Sequence, residues 1–179
     1  VVAHRTRKFD PKRAFALLAQ HRIRNTFLPP TALKMMREVP DPRGRYGFSL
    51  RSVASGGEAL GEEVLEWGKE TLGVVINEFY GQTEVNLVVG NCHEVMEIRP
   101  GSMGRPIPGV EVGIIDDDCN PSPPGVEGNL AVRPGWPSMF QTYWRNEDMY
   151  NSKFKEGWYI TGDRARMDED GYIWFVGRA

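Results

Sequence analysis

The stretch Asn77-Glu78-Phe79-Tyr80-Gly81-Gln82-Thr83-Glu84 puts an aromatic ring, a hydroxyl and a carboxylate within a few positions of one another. It follows the apolar run Val74-Val75-Ile76, which reads as a buried strand, and Gly81 is expected to break that strand into a loop. In α/β proteins ligands gather at the carboxyl ends of strands. There the Tyr80 face suits a nucleobase, the Thr83 hydroxyl a phosphate oxygen, and the Glu84 carboxylate a divalent cation. The same residues also fit a polar loop around a buried tyrosine, and on their own they do not choose.

Two further groups have the same character. Gly56-Gly57, inside Ser55-Gly-Gly-Glu-Ala59, closes an apparent strand and permits the backbone to approach a ligand that no Cβ would tolerate, although an ordinary tight turn would use the same pair. Trp158-Tyr-Ile-Thr-Gly-Asp163 is an aromatic strand ending in a glycine and a carboxylate. Two carboxylate oxygens match a vicinal diol such as a ribose 2′,3′ pair, one hydroxyl to each. A capping or turn aspartate is the plainer alternative.

These groups need elements to position them. Asp10-Pro11 with Ala14, Leu17 and Leu18 predicts a capped helix ending at His21-Arg22. A short strand follows over Ile23 to Leu28, then a helix over Thr31 to Glu38 after Pro29-Pro30. Leu50 to Ala54 reads as a strand, Glu62 to Leu72 as an amphipathic helix ended by Gly73, and Val74 onward as the returning strand. That is a βαβ unit with ligand-type residues at both strand ends. From Gly101 the texture changes to short strands between Gly/Pro turns: Val110 to Ile115, Gly128 to Arg133, Trp158 to Asp163 and Tyr172 to Val176, with a short helix near Glu147 to Phe154. The division expected is an α/β segment over 1–100 and a β-rich, distorted barrel-like lobe over 101–179.

Composition narrows the possible roles. The chain has 179 residues, is 40% apolar, and carries 22 basic and 24 acidic residues for a net charge of −2. It can bury a domain-sized core, and it has no apolar run long enough for a membrane span and no basic field for nucleic acid. Arg5, Arg7, Lys8, Lys12 and Arg13 read as a solvated helix start. Cys92 and Cys119 lie far apart, as reduced thiols of a cytoplasmic protein do. His4, His21 and His93 have no metal-ligand spacing, and no Gly-x-Ser-x-Gly elbow is present.

Taken in order, Ser55-Gly-Gly-Glu-Ala59, Tyr80-Gly-Gln-Thr-Glu84, Gly101-Ser-Met-Gly-Arg-Pro106, Gly157-Trp-Tyr-Ile-Thr-Gly-Asp163 and Asp170-Gly-Tyr-Ile-Trp-Phe-Val-Gly-Arg178 resemble the adenylate-forming superfamily. The nearest branch is that of the acetyl-CoA and medium-chain acyl-CoA synthetases, and the similarity runs along the later part of that family's N-terminal domain. The resemblance implies AMP-forming activation of a carboxylic acid by ATP with Mg2+, then transfer of the acyl group to coenzyme A. It also implies roles: Gly57, Glu58 and Ala59 as a backbone wall along adenine, Tyr80 stacked on it, and Thr83 on the α-phosphate. Glu84 would hold magnesium, Asp163 and Arg178 the ribose hydroxyls, and Phe175 would lie against the nucleoside. Glu78 stands where relatives often carry Asn or Asp reading the adenine amino group, and is one methylene longer than Asp.

Acetate-specific members place Trp and Val where this chain has Gly81 and Gly56, so an acid larger than acetate is expected. The phosphate-wrapping loop is expected before Val1, and the hinge and C-terminal domain with its catalytic lysine after Ala179. The isolated segment is therefore expected to be inactive. Two rivals remain: an amino-acid-activating or luciferase-like adenylating domain, and a non-catalytic nucleotide-binding module in which Glu84 is structural.

Overall fold

The computed structural model describes residues 7–179, so His4 and Arg5 fall outside the described residues. The chain divides into two compact units, Val1–Glu78 and Phe79–Ala179.

In the first unit α1 (Pro11–Gln20) begins as expected. The Asp10 side chain accepts from the amides of Lys12 and Arg13 at 2.9 and 3.2 Å, and Pro11 takes the first helical position. Strand β1 (Asn25–Phe27) leads into α2 (Pro30–Arg37), then α3 (Pro42–Tyr46) and β2 (Ser52–Gly56). β1 and β2 pair in parallel, with Asn25 opposite Ser52 and Phe27 opposite Ala54, so α2 and α3 form the crossover between them. α3 is an addition to the expected elements. Its signals are present in Asp41-Pro42 and Gly47: the Asp41 carboxylate accepts from Gly44 N at 3.1 Å and Gly47 takes the left-handed conformation that ends the helix.

Helix α4 (Glu62–Trp67) widens into a π-helical turn over Gly68–Leu72. A Cβ at Gly68 would stand 2.7 Å from the Ile76 side chain, so the turn closes over Ile76 only because glycine is there. Phe15, Leu33, Met36, Val53, Leu60 and Ile76 form the core of this unit.

The octapeptide departs from expectation. It is mostly strand: β3 spans Ile76–Gln82, and a tight turn connects it to β4 (Asn86–Gly90), which pairs antiparallel with it from Phe79–Gly90 to Gln82–Asn86. Gly81 does not break the strand. It sits at a register shift after Tyr80, where an added Cβ would overlap the Asn86 carbonyl, 2.8 Å from its carbon and 3.1 Å from Leu87 Cα. Strand β5 (Arg105–Pro106) extends the ladder on β4.

The remainder of the second unit is a second sheet. It comprises β6 (Val112–Ile115), β7 (Gly128–Val132), β9 (Trp158–Met167) and β10 (Ile173–Arg178) in the order β10-β9-β7-β6. The short α5 (Glu147–Ser152) and β8 (Phe154–Lys155) precede β9, against which β8 pairs. Val85, Val88, Val89, Leu130, Val132, Tyr159 and Ile173 supply the core. Mixed α/β structure followed by an antiparallel β-rich lobe is the fold class read from the sequence. Cys92 and Cys119 are both free thiols. Among the described residues no helix is long and apolar enough to cross a membrane.

Because the space opposite Gly81 is filled by backbone rather than by a side chain able to move aside, Gly81→Ala is expected to cost about 1–3 kcal/mol of stability. Urea unfolding checks this, and an unchanged midpoint would show that the β3–β4 turn yields easily.

Candidate functional site

The site in the second unit is assembled from irregularities in two ladders. β7 pairs with β9 through Asn129–Arg164 and then Ala131–Ile160, so Leu130 alone faces Thr161, Gly162 and Asp163. Such a bulge re-aims side chains out of the regular pleat. Its shape is held locally: Thr161 Oγ1 donates to Leu130 O at 2.7 Å and accepts from Asp163 N at 3.1 Å, while Gly162 adopts φ +76°. On the other side β10 is also irregular, between Phe175 and Gly177, and this brings Arg178 opposite Asp163.

Asp163 is 2% exposed, and its carboxylate is the centre of a polar network. Oδ2 accepts from the Tyr80 hydroxyl at 2.5 Å and from Gln82 Nε2 at 2.8 Å. Gln82 Nε2 also donates to Thr161 O at 3.1 Å, and its Oε1 accepts from the Tyr159 hydroxyl at 3.2 Å. Oδ1 lies 3.1 Å from Arg178 Nη1 as an ion pair, yet no donor meets it with hydrogen-bond geometry. A buried acceptor in that condition fits a ligand hydroxyl. The one-hydroxyl-per-oxygen arrangement is not available, however, because Oδ2 is already filled by the chain itself. Oδ1, with two lone pairs, is the oxygen left for a diol.

Burial pushes the Tyr80 phenol far above its ordinary range, and the Asp163 carboxylate pushes it further. Burial raises the Tyr159 phenol as well, with Glu84 next in effect. Both hydroxyls are therefore protonated donors at neutral pH. Gln82 was missed as a site residue. It lies inside Tyr-Gly-Gln-Thr-Glu, and nothing in its own chemistry pointed to Asp163.

The turn after β3 presents Thr83, exposed, and Glu84, half-buried. It is clamped by the aromatic-rich segment between β7 and α5. Phe140 N donates to Glu84 O at 2.7 Å, Trp136 Nε1 to Val85 O at 3.3 Å, and the Tyr143 hydroxyl to Glu84 Oε1 at 2.8 Å. Phe140 packs on Tyr143, Tyr150, Phe154 and Tyr159 with ring centroids 5.0–6.4 Å apart. Among the described residues no group of three or more His, Cys, Asp or Glu side chains is placed to hold a metal. A magnesium ion commonly takes one or two carboxylates and completes its shell with phosphate and water, and Glu84 fits that pattern.

The sequence profile of the family described as AMP-binding enzyme matches residues 1–144. The chain belongs to that family. It is 41% identical over 174 residues to an acetyl-coenzyme A synthetase of Bacillus subtilis, covering 96% of this chain and 30% of the relative. It is also 41% identical over 183 residues to the mitochondrial acyl-coenzyme A synthetase ACSM4 of Homo sapiens, covering 100% of this chain and 31% of the relative. The solved structure of the anthranilate CoA ligase AuaEII in complex with anthranoyl-AMP superposes with a TM-score of 0.83 at 30% identity, covering 94% of this chain and 32% of that one. The chain thus spans about a third of the length of these relatives.

Of the residues marked in the sequence of this AMP-binding enzyme segment, the second unit brings Tyr80, Asp163 and Arg178 together and sets Glu84 on the turn beyond Gln82. Phe175 is 48% exposed on β10, opposite Ala165 rather than Asp163. In the first unit Gly56 is buried at the end of β2, and Gly57, Glu58 and Ala59 follow it exposed, with Gly57 at φ +103°. Glu78 Oε1 accepts from Leu60 N at 2.9 Å, just past that loop. Its extra methylene thus serves a brace within its own unit.

Burial raises the Glu78 carboxyl above its ordinary range, and the Leu60 amide only partly opposes this. The folded state therefore binds the proton more tightly than the unfolded one. The associated stability is present below the unfolded-state value and is lost as pH rises through the folded value. Glu78→Gln keeps the acceptor for Leu60 N and removes the buried charge. It is expected to raise Tm at pH 8 and to have an effect that shrinks toward pH 4. Differential scanning calorimetry across that range checks the sign; a lower Tm for the variant at pH 8 would contradict it.

Proposed function

We propose that the protein to which this chain belongs is an AMP-forming acid–thiol ligase. In the first half-reaction a carboxylate oxygen attacks the α-phosphorus of ATP, the bond to the bridging oxygen breaks, and acyl-AMP and pyrophosphate form. In the second the coenzyme A thiol, losing its proton, attacks the acyl carbon and AMP departs. A carboxylate resists nucleophiles because of its own charge, and joining it to AMP removes that charge and supplies a leaving group. Catalysis of the first half is then mostly positioning and neutralisation of phosphate charge.

The observation that carries this proposal is the buried Asp163 carboxylate with Oδ1 lacking a hydrogen bond, joined through Oδ2 to the Tyr80 hydroxyl. An aromatic ring tied to a carboxylate with one acceptor open is suited to a nucleoside, base on the ring and sugar on the acid. In this assignment Arg178 shares the sugar, Phe175 lies against the nucleoside, Thr83 bonds the α-phosphate, and Gly57, Glu58 and Ala59 line the base. Glu84 would hold magnesium, which would neutralise phosphate charge when bound; Tyr143 fixes that carboxylate by its hydrogen bond. Glu78 is committed to Leu60 N through Oε1, so it is assigned a bracing role.

The acid is proposed to be larger than acetate, a medium-chain or aryl acid. Gly81 has a local reason for being glycine at the β3–β4 register shift, so the size argument rests chiefly on buried Gly56. An AMP-linked aryl acid in the related AuaEII ligase supports this class, while the Bacillus subtilis relative is named for acetate. A cytoplasmic placement is proposed; the two free thiols fit it as they fit any reducing compartment.

Acid-dependent pyrophosphate release by the full-length protein tests these assignments. Hexanoate or benzoate is expected to exceed acetate in kcat/KM, and acetate as the best substrate would refute the size class. Glu84→Gln is expected to lower kcat/KM for ATP by more than about tenfold and to raise the Mg2+ concentration needed for half-maximal rate. An unaltered Mg2+ dependence would favour the non-catalytic binding module.

A further inference from the structure

We infer that Gln82 and Tyr159 are positioning residues that fix the Asp163 carboxylate so that Oδ1 alone is left for the nucleotide sugar. This presupposes that Asp163 takes the sugar, as proposed above, and adds two residues that do not themselves touch the ligand.

An aspartate carboxylate turns about a broad two-fold torsion and has no intrinsic preference for which oxygen faces a ligand. Here the choice is made by donors. Tyr80 and Gln82 both point at Oδ2, and Gln82 Nε2 is simultaneously held by Thr161 O, so the amide spans the bulge that carries Asp163. A glutamine amide has its own ambiguity, since its oxygen and nitrogen exchange places on rotation. Reversed, Gln82 would set its Oε1 against both the carboxylate and the Thr161 carbonyl, two repulsive contacts. Those two acceptor-only neighbours set the orientation, and the Tyr159 hydroxyl, donating to Oε1 from a ring fully buried in the core of the unit, anchors the amide in place. Position therefore passes from a core tyrosine, and orientation from the Thr161 carbonyl, to the amide, from the amide to Oδ2, and by exclusion to Oδ1. Arg178, whose side chain is 75% exposed, stands beside Oδ1 and can share it or swing away without disturbing that order.

The test compares AMP with 2′,3′-dideoxy-AMP, which lacks both sugar hydroxyls, by calorimetric binding to the full-length protein. Wild type is expected to bind AMP at least about tenfold more tightly, the worth of one good charge-assisted hydrogen bond. In Gln82→Met and in Tyr159→Phe the AMP affinity is expected to fall about fivefold or more, with dideoxy-AMP affinity within about twofold of wild type. Tyr159→Phe keeps the ring in the core and is the milder variant should Gln82→Met fold poorly. Equal losses for both ligands would mean general damage and would overturn the positioning role. Variants that retain the full preference for AMP would overturn it as well. A wild type with no preference would remove Asp163 as the sugar ligand, a failure of the proposed function rather than of the brace.

Discussion

A carboxylate withdrawn from water has to be met by donors, and the second unit is built around meeting one. Asp163 is almost wholly buried, and an uncompensated charge there would cost several kcal/mol. Two side chains from β3 meet one of its oxygens, while its own amide is tied to Thr161. Hydrogen bonds to an ionised group contribute about 1.5–3 kcal/mol each, so the pair from Tyr80 and Gln82 offsets much of the desolvation cost. The other oxygen has an ion-pair neighbour and no hydrogen bond. That imbalance, one oxygen with two hydrogen bonds and one with only an ion-pair neighbour, gives the site its polarity.

The backbone device that makes this possible is the same in each ladder. The bulge opposite Leu130 interrupts the β7–β9 ladder at Thr161, Gly162 and Asp163, and the Thr161 hydroxyl bonds the Asp163 amide across it. The shift after Phe175 brings Arg178 into register with Asp163, and the shift after Tyr80 lets β3 continue past Gly81 into the turn that holds Glu84. Glycines at 81 and 162 permit two of these departures, one by absence of a side chain and one by positive φ. The functional side chains thus come from paired positions next to register shifts, and the regular strands on either side keep those shifts fixed.

Much of the element order was legible because caps and periods are local. Asp10-Pro11 announced α1, Gly73 ended the helical run after Glu62, and the aromatic alternation of Trp158 to Asp163 marked β9. The octapeptide was misjudged where local signals conflict with pairing. Gly81 reads as a breaker to anyone who cannot see β4 beside it, and β4 itself is a short apolar run that only its partner turns into a strand. Tyr80, Glu84 and Asp163 were legible as chemistry, since aromatic rings and carboxylates in glycine-rich settings are rarely needed for packing. Gln82 was not, because an amide acquires its role only from what stands opposite, and Asp163 is 81 residues away in the chain. The aromatic stretch around Phe140 was opaque for a related reason. Its rings face one another as a cluster rather than a sheet or helix face, so no period describes them.

Glu78 shows how a departure from a family pattern becomes intelligible once its partner is known. Glu78 lies within β3, and its length gives the reach to accept from the Leu60 amide. Having done so, the carboxyl sits where burial raises its pKa, so it holds a proton to higher pH than a solvated glutamate would. A protonated carboxyl is both donor and acceptor, whereas the ionised form only accepts. The extra methylene thus places the carboxyl where it braces the loop before α4, through a hydrogen bond made entirely within the first unit.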